Sequence, residues 1–217
     1  MSTTAPAPPM TPPTLPIPAA PPKRHYLMQS TFRKFTLAEY HKMIETGVLL
    51  DGEPYELLEG HLVHKMSRGT PHDAAIQALM KRLLRLVPPG RDVRGQSAVT
   101  LTNGSEPEPD FALVRGDENT YRHRHPGPAD IGLLIEVSDS SLAIDRYDKG
   151  SIYAANGIPV YWVVNVIDKV IEVYTQPSGT GDDAAYAQRD DYPVGTAVPV
   201  VLDGNTVGTI TVAEVVG

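Results

Sequence analysis

Apolar residues along this chain recur at two spacings, and the switches between them divide it into elements. Thr70-Pro71-His72-Asp73 supplies an N-cap, a proline at the first helical position and an acid in the first turn, ahead of Ala75, Ile76, Leu79, Met80, Leu83, Leu84 and Val87. The pattern predicts an amphipathic helix that Pro88-Pro89-Gly90 ends. A shorter helix is predicted from Phe35 to Thr46, where Phe35, Leu37, Tyr40, Met43 and Ile44 follow mixed helical spacing. Between them, Tyr55 to Met66 has a Glu59-Gly60 turn flanked by β-prone runs and predicts a hairpin. Val93 to Leu101 and Asp110 to Val114 read as strands, with Asn103-Gly104 as turn chemistry between them. Ile131 to Val137 is apolar except for Glu136 and reads as a strand buried on both faces. Asp145 to Asn156 suits a helix with Tyr147, Ile152 and Ala155 inward and Gly157 placed to cap it. Val160 to Val166 and Val170 to Thr175 predict another hairpin, and Ser178 to Asp191 reads as a Gly-rich polar connection. Val198 to Val212 reads as closing β structure around Asp203-Gly204-Asn205.

This order predicts an α/β fold, a mixed central β-sheet flanked by helices with added β-hairpins. With 41% hydrophobic residues, 217 residues suffice for one domain, placed at 31–217. Residues 1–30 form a Pro/Ala-rich tail, predicted to be a disordered, solvated extension because it has too little apolar surface to offset chain entropy. There is no cysteine, which excludes disulfides and thiolate metal sites and restricts any bound ion to hard oxygen or imidazole donors. Apolar runs stop well short of a membrane span and the N-terminus lacks a basic-then-apolar leader, so a soluble cytoplasmic protein without a membrane partner is expected. A net charge of -7 disfavours loose binding to nucleic acid, although basic residues gather at Lys81, Arg82, Arg85, Arg91 and Arg94 and again at Arg122 and Arg124.

The candidate chemistry centres on Glu136, because an ionised carboxylate inside an apolar strand needs a cation or a lysine. Asp110 follows Pro109 at the start of its own strand, and in neighbouring strands the two carboxylates would converge at one end of the sheet. Two carboxylates with water and carbonyl oxygen are the donors that Mg²⁺ uses. Lys149, four residues after Asp145 on the next helix, is placed to position or deprotonate a water and to neutralise charge on a phosphate.

Tyr55-Glu56-Leu57-Leu58-Glu59-Gly60-His61-Leu62-Val63, His72 opening a helix, Glu108-Pro109-Asp110, Ile135-Glu136-Val137-Ser138, Asp145 with Lys149 and Tyr153, and Gly157-Ile158 before Tyr161-Trp162-Val163-Val164 together resemble the Uma2 family, DUF820-like members of the PD-(D/E)XK nuclease superfamily. The ordered pattern spans roughly residues 35 to 175. The resemblance implies a restriction-endonuclease-like core and a Mg²⁺-dependent endonuclease, with Mn²⁺ as a substitute ion, acting on phosphodiester bonds in DNA. It implies Asp110 and Glu136 as metal ligands and catalytic residues, and Lys149 as the catalytic lysine. The superfamily's usual lysine position, two residues after the acid, holds Ser138 here, and the resemblance implies that Lys149 fills the vacated space. Glu56 and His72 match further family positions near the site. The resemblance and the hydrophobic strands also lead to the expectation of a homodimer.

Plainer readings stand beside these. Asp110 reads equally as a strand start, and Asp145 with Lys149 is also an ordinary i,i+4 helix pair worth roughly 0.3 to 0.5 kcal/mol. His72 suits a capping-region histidine, Glu56 an exposed strand residue, and Ser138 with Asp139 a cap for the next helix. Arg122-His123-Arg124-His125 reads as a polar loop, and Tyr161 and Trp162 as core or dimer contacts. Two alternative functions follow: a catalytically idle nuclease fold serving as a homodimeric interaction module, and a hydrolase of a smaller phosphoester.

Overall fold

The computed structural model describes residues 32–50, 52–66 and 68–217, so the predicted tail at 1–30 lies outside the described residues. Thr36 opens α1 (Leu37–Glu45) through a capping box, its hydroxyl accepting the Glu39 N–H while the Glu39 carboxylate accepts the Thr36 N–H. The strands β1 (Tyr55–Leu58) and β2 (His61–His64) form the expected hairpin, a two-stranded sheet of its own. Its two-residue turn places Glu59 at φ 48° and Gly60 at φ 83°, the left-handed pair that matches strand twist.

The expected amphipathic helix is α2 (Thr70–Leu86), and it buries His72, Ala75, Ile76, Leu79 and Leu83. Its N-cap is Gly69 and not Thr70, which lies inside the first turn; no side chain caps this end. After β3 (Arg91–Gly95) the chain leaves the sheet, so the strand expected to run on to Leu101 stops at Gly95. Gln96 turns at φ 49°, and Val99 and Leu101 are buried in an irregular connection instead of a ladder. The Asn103-Gly104 turn therefore sits within that connection.

The central sheet runs β3, β4 (Phe111–Arg115), β5 (Ile131–Ser138), β6 (Val160–Asn165), β7 (Val170–Ser178) and β8 (Ala185–Pro193), in that spatial order. Only β5 and β6 are parallel, and they are joined by the helical crossover that parallel pairing requires. All residues of β5 and β6 are buried. The second half of the polar stretch expected as a connection from Ser178 to Asp191 is β8, an edge strand whose outward polar side chains hid its buried positions Tyr186 and Arg189.

Strand alternation gives the sheet two faces. One carries Phe111, Leu113, Leu133, Ile135, Val137, Trp162 and Val164 beneath α2 and the hairpin of β9 (Ala197–Leu202) and β10 (Asn205–Thr211), with the short α4 (Ala213–Val216) alongside. The other carries Ala112, Leu134, Tyr161, Val163 and Tyr174 beneath the crossover. That crossover is not one α-helix: Ile144–Lys149 is a π-helical turn that continues into α3 (Gly150–Ala155). Among the described residues no helix is long and apolar enough to cross a membrane.

Candidate active site

The second face of the sheet opens into a cleft of about 60 Å³ lined by Glu56, His72, Asp110, Glu136, Asp145 and Lys149, all of them buried. Six of the seven residues singled out in the sequence therefore line one cavity. The seventh, Ser138, lies just behind it and donates its hydroxyl to Asp145 Oδ2 at 2.7 Å. The volume is enough for a few waters and not for a large organic ligand.

Asp110 stands at the entrance to β4, where its Oδ2 accepts the Val137 N–H at 2.8 Å and lies 3.3 Å from His72 Nε2. Burial works to raise its pKa, but the bond and charge of His72 and the Val137 amide outweigh it and hold the carboxyl below its ordinary range. The same contact raises His72 against the opposing effect of burial. His72 thus reaches into the site from the first turn of α2, beyond the capping role its position suggested.

Glu136 meets the lysine that its sequence context offered as one partner, and a tyrosine besides. Its Oε1 accepts Lys149 Nζ at 3.0 Å and the Tyr153 hydroxyl at 2.7 Å. Lys149 Nζ also lies 3.1 Å from Glu56 Oε1, and Glu56 Oε2 accepts the Glu108 N–H at 3.1 Å. Glu56 is therefore a buried wall of the cleft and not an exposed strand residue. Burial pushes Glu136 up to about 8, offset only in part by Lys149 and reinforced by Asp145, Asp110 and Glu56. Burial opposes the charge of Lys149, but Glu136, Glu56 and Asp145 overcome it and raise the ammonium above its usual value. Glu136 is thus inclined to keep its proton because it is buried, and Lys149 because several acids surround it.

Asp145 is anchored by the hydroxyls of Ser138 and Ser141 at 2.7 and 2.6 Å, and its carbonyl accepts the Tyr161 hydroxyl at 2.9 Å. Burial raises its pKa, against the lowering effect of Lys149 and the two serines. The surface ion pair that Asp145 and Lys149 suggested is thus an interior arrangement on a π turn, an uncommon geometry found often at functional sites. Tyr153 and Lys65, which pairs with Glu108 at the cleft wall, complete the surroundings. Tyr153, which entered the sequence pattern without a role, follows Lys149 by one helical turn and so reaches the same carboxylate.

Four of the basic residues read from sequence are engaged elsewhere. Arg82 pairs with Glu214, Arg91 with Asp203, and Arg124 with Asp130, while Arg94 stacks over Tyr121. Tyr161 and Trp162 are core residues with no exposure.

The donor set is compatible with a hard cation: carboxylates crowd a small cavity, and the bonds of Asp110 and Glu136 described above use one oxygen of each. Among the described residues no three His, Asp or Glu side chains are gathered as a ready-made ion cage, so water would complete the shell.

No curated protein matches the chain. Among solved structures, the crystal structure of a "putative nuclease belonging to DUF820" from Anabaena variabilis is similar at a TM-score of 0.58 and 14% identity, covering 84% of this chain and 97% of that one. At that identity the likeness is one of fold. The family model described as "Uma2: putative restriction endonuclease" matches residues 37–205, which include every residue of the cleft described above. On that match, the chain belongs to the Uma2 family.

Proposed function

We propose that the cleft hydrolyses phosphodiester bonds in DNA, with Mg²⁺ or Mn²⁺ held by Asp110 and Glu136 and with Lys149 as the catalytic ammonium. The observation that carries this reading is the 3.0 Å contact of Lys149 with Glu136 from a separate element, where Ser138 leaves the usual lysine position without an amine. The ion, when bound, would polarise the scissile phosphate and acidify a water. The remaining work falls to the chain. His72 and the Val137 amide keep Asp110 ionised at neutral pH. Glu136 releases its proton when it takes up a ligand role, since burial has kept it protonated. Lys149 stays charged, which favours neutralising charge that develops on the phosphate over accepting a proton.

A plasmid-nicking assay with Mg²⁺ tests the reading on wild type, Asp110→Asn, Glu136→Gln and Lys149→Met. Nicking is expected in wild type alone, with a loss of at least about a hundredfold in each variant. Metal-dependent nicking that survives in Asp110→Asn would falsify the assignment.

The idle-fold reading, a homodimeric interaction module, is favoured by the lack of a ready ion cage among the described residues. It predicts no calorimetric signal for Mg²⁺ or Mn²⁺ even with DNA present, and a dimer in light scattering.

A further inference from the structure

The cleft leaves one buried acid on this face of the sheet unaccounted for. Glu172, with no exposure, lies on β7 in direct register with Val163, which is in register with Glu136. The two acids therefore point to the same face, two strand spacings or about 10 Å apart. Each meets a cation from the same π turn: Lys149 reaches Glu136, and Arg146 reaches Glu172. Arg146 Nε lies 3.0 and 2.9 Å from the two oxygens of Glu172, and its second nitrogen closes a fork onto Oε1. The turn straddles the sheet, gripping it at both ends.

We propose that Arg146 is a positioning residue for Lys149: its fork on Glu172 fixes the rotation of the π turn and thereby the place of the Lys149 amine. This rests on the nuclease reading only for what the amine does, not for how it is held. A π turn is intrinsically disfavoured and persists where tertiary contacts over-determine it. A bidentate guanidinium fixes direction, whereas an ammonium shared by Glu136 and Glu56 is a point contact that tolerates rotation. Asp145, just before Arg146 in the turn, is held at its side chain by Ser138 and Ser141 and at its carbonyl by Tyr161, which limits its own drift and leaves the swing of residue 149 to the later contacts.

Glu172 has further partners, and these make the test clean. Arg189 lies 3.3 Å from Glu172 Oε1 and the Tyr174 hydroxyl donates to Oε2 at 2.7 Å, so Arg146→Met does not leave a bare buried charge. Arg189→Met removes a neighbour of the same carboxylate that comes from β8 and not from the turn.

The experiment is acylation of the metal-free full chain with a water-soluble reagent, with labelling of Lys149 followed by mass spectrometry against the exposed Lys169 as internal reference. Lys149 is expected to resist labelling in wild type and in Arg189→Met, and to label on the order of tenfold faster in Arg146→Met at an unchanged unfolding midpoint. Arg146→Lys, which keeps the charge without the fork, is expected to fall between and serves if the methionine variant does not fold. Protection of Lys149 equal to wild type in the Arg146 variants overturns the proposal, as does equal exposure in Arg189→Met. On plasmid DNA, Arg146→Met should lower kcat by about ten- to a hundredfold with KM and Mg²⁺ binding retained. A wild type that does not nick DNA removes the nuclease reading while the labelling still decides the clamp; faster labelling at unchanged kcat removes Lys149 from catalysis alone.

Discussion

Glu56 and Glu136, carried on two separate sheets, share one ammonium: Lys149 Nζ lies 3.1 Å from the first and 3.0 Å from the second. The cleft is thus closed between the hairpin and the central sheet by a single buried cation. Removing that cation leaves two buried acids without their partner, which costs far more than losing a surface pair.

Lys149→Met is therefore expected to destabilise the protein by about 3–5 kcal/mol, and Glu56→Gln placed on top of it should return part of the loss. Urea denaturation of both single variants and the double variant measures the coupling. A loss under about 1 kcal/mol in Lys149→Met would place the pair in the class of surface bridges.

Protonation of Glu136 gives stability a pH dependence of unusual sign. Its folded pKa, about 8, exceeds the ordinary 4.5, so the folded state holds a proton that the unfolded chain has released between these values. This contribution is complete below about 4.5 and is lost as pH rises through about 8. Relative to Glu136→Gln, which cannot ionise, wild type should lose stability between about pH 5 and pH 8. Magnesium titrations near neutral pH should release a proton in wild type, read from buffers of different ionisation heat.

His72 and Asp110 support each other, with His72 raised and Asp110 lowered. The imidazole should titrate above 6.5 in an NMR experiment and drop towards or below it in Asp110→Asn. Because its folded value is raised, the stability from this pair is present below 6.5 and lost as pH climbs through the folded pKa. An unshifted His72 in the Asp110 variant would sever the link.

Gly60→Ala tests the hairpin that supplies Glu56. At φ 83° an added Cβ would stand 2.8 Å from Lys34 Cβ, so backbone and space both oppose it. A loss of about 1–2 kcal/mol is expected in thermal unfolding, and a neutral outcome would show that α1 and the hairpin shift apart without cost.

Glu136 was legible in the sequence because it is a charge within an apolar run, and Asp110 became legible as its neighbour across strands. The same signal stands at Glu172 inside Val170-Ile171-Glu172-Val173-Tyr174, where the sequence reading saw only a hairpin strand, and its cation lies in the turn read as part of an ordinary helix. Nothing in residue periodicity announces a π turn, since Asp145 and Lys149 fit α spacing equally well. The strand β8 was hidden for another reason: an edge strand with solvated side chains reads as a loop until its partner is known. The early end of β3 had the opposite cause, buried Val99 and Leu101 imitating strand alternation in an irregular connection.

The two-faced sheet has a consequence for any saturation mutagenesis of this chain. Along β5, Leu133, Ile135 and Val137 turn towards α2 and the β9–β10 hairpin, while Glu136 and Ser138 turn towards the cleft and the π turn. A screen that scores protein abundance and one that scores turnover should therefore disagree residue by residue, with a period of two. From Ile135 to Ser138 the odd positions would dominate the first map and Glu136 with Ser138 the second, so that comparing the two maps reads out the division between folding and chemistry along one strand.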